Sequence, residues 1–553
     1  MRPASATHLR WGLCLLAFTL TLSGCGGEQA ESDAGPEPDA GPRADAGDAG
    51  APDAGTPPDA GPSGDASAPD SGTPIGPSDD RDLDGFDTSV DCDDADRRVY
   101  PSTQRACTAA CGTGVQTCGA DGTYSECSCD PLCEAIGTGR CYYISGASGD
   151  DTNPGTFDQP WATALNLNYY YRPPSTHVVL QPGDVVYFLE GSYFSPYACC
   201  DGDADQGIYL RGIDGTAEAS ITIRSYPGQA VDLTAETWDV MRFFGVSYLR
   251  IQGFDVHGGF GAGLRVSGDN LEFRDMRIHD VDGLGRNNTS GVVFLGATNV
   301  DFHHNELFDN YDRTLAAERR DHKQNIIAFR GGNIRIHHNE IYQTSSDPQI
   351  VNSGVLYKHM AQLEGSSFEL DHNVFRNLAG FWAGSGTPRT HIHHNLVIDA
   401  GRLRVANFGG PTQNSDVVID FNTMVGVEAL SYNPNLDPAP GPFSYQNNIV
   451  IGASESYSGD GAFSIIGTYL GRDVYDLVVP TGTLSFGSNC YYNPNTGLRF
   501  GLFAALDAGD WYDLAGWQAL GYDVDSIFAD PMLDASYAPE NPDCAMAGHL
   551  AGP

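Results

Sequence analysis

Lysine occurs only twice in the chain, at Lys323 and Lys358, and the second stands between a phenol and an imidazole in Tyr357-Lys358-His359. Each of these three groups can accept a proton, which is what general-base chemistry asks of a side chain set beside the bond that breaks. Arg402 and Arg404 follow further along the chain, cations able to neutralise a carboxylate while the proton next to it leaves. Base and cation together suit abstraction of a proton beside the carboxylate of an acidic sugar. Hydrolysis of a glycosidic bond would instead need two carboxyl groups roughly 5 to 9.5 Å apart, and Asp280 and Asp282 in His279-Asp-Val-Asp-Gly283 are the best such pair. One stretch, Tyr311–Gln324, is locally basic through Arg313, Arg319, Arg320, His322 and Lys323. Asp312, Glu318 and Asp321 can neutralise it internally.

A second set of chemical residues lies near the start, where residues 80–94 read DRDLDGFDTSVDCDD. Asp82, Asp84, Asp87, Asp91, Asp93 and Asp94 crowd around a single glycine, Gly85. A tight turn there would aim several carboxylates at one hard cation, and without the cation they repel. The spacing resembles the DxDGxxxxxDCDD calcium motif of bacterial surface proteins and, more loosely, the thrombospondin type 3 repeat, which implies bound Ca²⁺. It is not an EF-hand, because position 93, the twelfth from Asp82, is Asp rather than Glu.

The elements that must hold the later residues are written in a repeated phrase. It is an alternation of apolar and polar residues closing on Asn: Val300-Asp-Phe-His-His-Asn305, Ile334-Arg-Ile-His-His-Asn339, Phe368-Glu-Leu-Asp-His-Asn373, His391-Ile-His-His-Asn395, Val417-Val-Ile-Asp-Phe-Asn422, Phe443-Ser-Tyr-Gln-Asn-Asn448 and Leu484-Ser-Phe-Gly-Ser-Asn489. Successive asparagines are 34, 34, 22, 27, 26 and 41 residues apart. Such a period marks a solenoid, propeller or array. Two-residue alternation means strands, and the intervals leave room for further strands and turns but not for crossover helices. This predicts an all-β chain built as a parallel β-helix. Asn suits a left-handed corner, and stacked Asn amides can hydrogen-bond from coil to coil. The pairs His303-His304, His337-His338 and His393-His394 recur at one register and read as a turn ladder rather than a metal site.

The phrase resembles the coils of right-handed parallel β-helices of the pectate-lyase superfamily, over about residues 140–550. Tyr142-Tyr-Ile-Ser145, Asn153-Pro-Gly-Thr156, Gln159-Pro-Trp-Ala-Thr163, Pro182-Gly-Asp184 and Glu190-Gly-Ser-Tyr193 resemble the opening of secreted members, and Trp517-Gln through Ser526-Ile-Phe-Ala-Asp-Pro531 their final coils. The resemblance implies a groove on the outer face of the stack. Further strands fall before the phrases, at 292–295, 326–329, 355–358, 381–383 and 402–405. If Val293, Leu295, Ile327, Phe329, Leu356, Leu403 and Val405 point inward, then Tyr357, His359, Arg330, Arg402 and Arg404 point outward, while Lys358 turns inward or to the strand end. Several lyases of this superfamily use Lys or Arg as base. A fold of this kind also serves noncatalytic adhesins and structural surface proteins, so activity cannot be inferred from fold.

The remaining features concern place. Thirty Lys and Arg against 72 Asp and Glu give a formal charge of -42, which speaks against nucleic-acid partners. Trp11–Leu22 is apolar but too short to span a membrane, and with Arg2 and Arg10 reads as a secretory signal. It ends in Leu22-Ser23-Gly24-Cys25, which resembles the lipobox of bacterial lipoproteins. That resemblance implies lipid on Cys25 and, with Gly26, placement at the outer membrane or cell surface. Residues 25–78 form an Asp/Ala/Gly/Pro tether with Asp-Ala-Gly at Asp33, Asp39, Asp45, Asp48, Asp53 and Asp59, unable to bury a core. Residues 79–141 follow as a small acidic, Cys-rich module, then the β-helix over 142–553. Beyond Cys14 and Cys25, twelve cysteines remain, eight between Cys92 and Cys141 and four later, even counts that suit disulfides in an oxidising compartment. The expected partners are an anionic polysaccharide and, through the anchor, a membrane, with the protein a monomer.

Overall fold

The computed structural model describes residues 80–551, apart from 111, 130, 170–175, 196–205, 237, 284–288, 312–322, 346–352, 359–365, 386–388, 407–415, 428–429, 434–441, 453–462, 469–483, 495–497 and 503–509. The signal, Cys25, the tether, Cys111, Cys199, Cys200, His359 and most of the basic stretch therefore lie outside the described residues.

The chain winds as a right-handed parallel β-helix. Its strands stack into three parallel sheets. Sheet I contains Thr289–Leu295, Lys323–Phe329 and Ser353–Lys358; sheet II contains Thr298–His303, Gly332–His337 and Ser367–Asp371; sheet III contains Arg277–His279, Glu306–Phe308 and Glu340–Tyr342. Long strands such as Asp239–Gln252 and Ala262–Arg274 bend from the first sheet into the second. Because side chains alternate, every second residue of each strand enters one continuous core. Phe302, Ile336, Leu370, Ile392, Ile419 and Tyr445 form one such interior column, in register from coil to coil.

The turn from sheet II to sheet III carries the repeated asparagines. Asn305, Asn339, Asn373, Asn395, Asn422, Asn448 and Asn489 are buried, and each of the first six donates its side-chain amide to the Oδ1 of the next at 2.9–3.2 Å. The left-handed corner falls one residue earlier than expected, on His304, His338, His372, His394, Phe421, Asn447 and Ser488, with φ of 52–54°. The asparagine is thus freed to point inward, where an unpaired amide would be costly and a ladder satisfies it. The corner residues form a ladder of their own: the rings of His304, His338, His372 and His394 stack 4.9–5.2 Å apart and end on Phe421.

An antiparallel sheet of Gln104–Ala109, Gly112–Thr117 and Ser128–Cys129 precedes the helix. Disulfides join Cys92 to Cys118, Cys107 to Cys127 and Cys133 to Cys141, and Cys129 is also disulfide-bonded. A further bridge, Cys490–Cys544, pins the C-terminal segment, whose Ala551 carbonyl reaches His394.

Candidate metal centre and cationic face

Residues 80–94 fold as a chain of turns in which aspartates cap backbone amides two to five residues on. Asp80 accepts from the amides of Leu83 and Gly85, Asp84 from Phe86 and Asp91 from Asp93. This winding brings one carboxylate oxygen each of Asp80, Asp82 and Asp84 within 4.8 Å of one another. Oδ2 of Asp82, Asp84, Asp91 and Asp94 is buried with no hydrogen-bond partner. Burial, then the neighbouring carboxylates, pushes the Asp82 carboxyl up to about 7 and Asp84 to about 9. Buried oxygens left unpaired and mutually repelling fit a hard divalent cation with oxygen ligands. Asp82, Asp84, Asp91 and Asp94 would hold it, beside Asp80, which the sequence reading left out. Asp93 is exposed instead, and half-buried Asp87 accepts from Ser89.

This loop sits on the imidazole ladder. Tyr100 stacks on His304 at 4.0 Å and its hydroxyl donates to Asp275 at 2.6 Å. His304 Nε2 donates to the Asp84 carbonyl at 3.0 Å. Gly85, at φ +97°, comes so close to His338 that a Cβ there would lie 2.5 Å from Nε2. Burial holds both histidines well below the usual imidazole range, so they stay neutral.

The residues expected in the groove of sheet I separate. Tyr357 was expected to point outward; it is fully buried, in the same interior column as Phe294 and Ala328, and meets Phe368 edge-on. The opposite set, Val293, Ile327 and Leu356, lies on the other face and is also buried, so alternation there carried no phase. Leu295, expected inward, is partly exposed, as is Phe329. Lys358 is half-buried at its strand end, and Arg330 is exposed at a left-handed turn. In the later coil Leu403 and Val405 do face the core, placing half-buried Arg404 outside, in register with Ala383 and Leu356. Arg402 pairs with Gly380 at a bulge; its side chain lies outside the described residues. Tyr357 and Arg404 therefore do not share a face. Asp280 is held by His279 at 2.8 Å, in a left-handed turn.

Several coils earlier the same outer face is cationic and aromatic. Arg242 and Arg265 are neighbours in one outward column with Tyr209. Arg265 Nε lies 3.0 and 2.9 Å from the two oxygens of the wholly buried Asp239, and Arg242 is 3.9 Å from the same carboxylate. Arg242 also lies over the Tyr209 ring at 5.5 Å, with its Nε buried and unbonded. Exposed Arg211 lies over Tyr169 and Phe244 at 5.3 and 5.1 Å. The sequence reading missed this set. Its signal was present in Val240-Met-Arg242-Phe243 and Gly263-Leu-Arg265-Val266, arginines alternating with core residues on adjoining coils.

A family model for the right handed beta helix region matches residues 237–423. A 90-residue stretch is 34% identical to a lacto-N-biosidase of Bifidobacterium longum, 16% of this chain but 5% of that protein, so the chain matches a small part of its relative. Among solved structures, a pectate lyase aligns over 61% of this chain and 81% of its own at 13% identity (TM-score 0.42). A surface adhesin of Streptococcus pneumoniae aligns over 57% and 80% at 11% identity (TM-score 0.33). Neither structural likeness carries an activity over to this chain.

Proposed function

We propose that this chain is an exported, lipid-anchored surface protein that binds a carboxylated polysaccharide along the outer face of sheet I. The observation that carries this reading is the strip of Arg211, Arg242 and Arg265 among Tyr169, Tyr209 and Phe244. Guanidinium groups recognise carboxylates in a fork geometry, and the half-buried rings of Tyr169 and Phe244 beside them can cover the apolar faces of sugar rings, while buried Tyr209 supports Arg242 from beneath. Buried Asp239 orients Arg265 through both of its oxygens, which suits charge recognition rather than proton abstraction. The stretch shared with a lacto-N-biosidase supports a carbohydrate ligand. Calcium in the Asp82–Asp94 loop would clamp the acidic module onto the His304 turn; its chemistry is structural, neutralising carboxylates that otherwise repel.

The test is binding of the detergent-solubilised chain to polygalacturonate and alginate beside an uncharged glucan, with ultraviolet absorbance followed for an unsaturated product. Retention on the acidic polymers is expected, weakened about tenfold or more in Arg242→Ala or Arg265→Ala, since a charge-assisted bond contributes about 1.5–3 kcal/mol. Equal retention on the uncharged glucan, or arginine variants that bind like the parent, would remove the proposal. Accumulating product would extend it to β-elimination.

A further inference from the structure

On the outer face of sheet II, histidines and carboxylates from three neighbouring strands converge. Ser367–Asp371, Arg389–His393 and Val417–Asp420 run parallel, pairing Glu369 with His391 and His393 with Asp420. Leu370 and Ile392 fill the core, so alternation sends Glu369, His391 and His393 outward together. One carboxylate oxygen of Glu369 and one ring nitrogen of each histidine lie within 4.8 Å of one another. Asp420 Oδ1, 2.7 Å from His391 Nε2, adds a second carboxylate at the edge of the trio.

The hydrogen-bond network fixes how the His393 ring is presented. His394 Nε2 donates to the Ala551 carbonyl at 3.1 Å. The Nδ1 atoms of His393 and His394 are 2.8 Å apart, a hydrogen bond that anchors the His393 ring by one nitrogen. The other nitrogen, Nε2, lies 3.1 Å from Glu369 Oε1, where a metal ion can take the place of the proton that the pair shares. Donors of this type, with the second imidazole nitrogen fixed by an outer partner, are those of a transition-metal site.

We propose that Glu369, His391 and His393 bind Zn²⁺, with Asp420 as the accompanying carboxylate. Two imidazoles and a carboxylate suit Zn²⁺ better than Ca²⁺, so this site is chemically distinct from the aspartate loop. It lies on accessible surface, since His391 and Glu369 are 45% and 38% exposed.

The test is calorimetric titration of the chelated, detergent-solubilised chain with Zn²⁺ under saturating Ca²⁺, alongside the visible spectrum of bound Co²⁺. One Zn²⁺ per chain is expected, with a Co²⁺ spectrum showing nitrogen ligands. Affinity should fall by at least about tenfold in His391→Ala and in His393→Gln, and stay unchanged in Asp84→Asn. Melting curves identify any variant that fails to fold, in which case Glu369→Gln, a nearly isosteric change, takes its place. Absence of Zn²⁺ binding under saturating Ca²⁺, or folded variants that bind as the parent does, would overturn the proposal. A loss in Asp84→Asn alone would move the ion to the aspartate loop and overturn it equally.

Discussion

Asp82 and Asp84 show how one residue's environment sets a condition for the whole module. Both carboxyls are held above the ~3.9 of an unfolded Asp, at about 7 and about 9. With no cation bound, their contribution to folding is therefore fully present below the unfolded value. It is lost as pH rises through the folded values, because the folded loop must then accept charge it disfavours. The expected outcome is a module transition whose melting temperature falls between about pH 5 and about pH 8 in chelator. Calcium should reverse that fall, and stabilise more at the higher pH, where protons no longer compete. Calorimetric melts with and without chelator check this, and identical curves at both pH values would exclude the loop as a metal site.

At the scale of the element, the turn between sheets II and III joins one coil to the next. Asn373 accepts from the backbone and side-chain amides of Asn339. It donates to the carbonyls of Ile336 and Asp371 and to Asn395 Oδ1. Asn373→Ala removes all of these at once and strands buried groups on three coils, each costing about 1–3 kcal/mol. The variant should melt several degrees lower in calorimetry, whereas Ser444→Ala, on the outer face of the same sheet system, should shift stability by no more than about 0.5 kcal/mol. A ladder residue that could be removed as harmlessly as Ser444 would mean that the coils are held by core packing alone. The imidazole ladder beside it has a different use, because it presents the flat ring of His304 on which Tyr100 and the aspartate loop rest.

For the whole molecule, the proposed order of signal, tether, acidic module and β-helix would place the sheet faces outside the cell. No helix among the described residues is long and apolar enough to cross a membrane; in the proposed reading, lipid at Cys25 holds the protein there. A single acyl signal binds reversibly, and stable anchoring takes more than one chain. Cys25→Ser should therefore move the protein from the membrane fraction to the soluble fraction after export, with loss of incorporated labelled fatty acid. An exported Cys25→Ser protein that stayed with membranes would remove the anchor.

The repeat and the alternation within it determined the β-helix, because the Asn period is the length of a coil and the two-residue alternation is the geometry of a strand. Both are local properties that the chain carries wherever it folds. What the alternation could not determine was its own phase on sheet I. Val292, Val293 and Phe294 are all buried, as are Ile326, Ile327 and Ala328. Where both faces of a strand are covered the sequence shows no polar side, and Tyr357 was assigned outward for that reason. Arg404 could be placed because the alternation there is real, charged residue against Leu403 and Val405. The acidic loop divided in the same way. Composition marked it as cation-seeking, but the turns alone decided that Asp80 joins Asp82 and Asp84 while Asp87 turns to Ser89 and Asp93 to solvent. Asp239 and Arg265 are 26 residues apart and meet only because one coil lies directly on the next; a contact between coils is set by register, which no window of sequence contains.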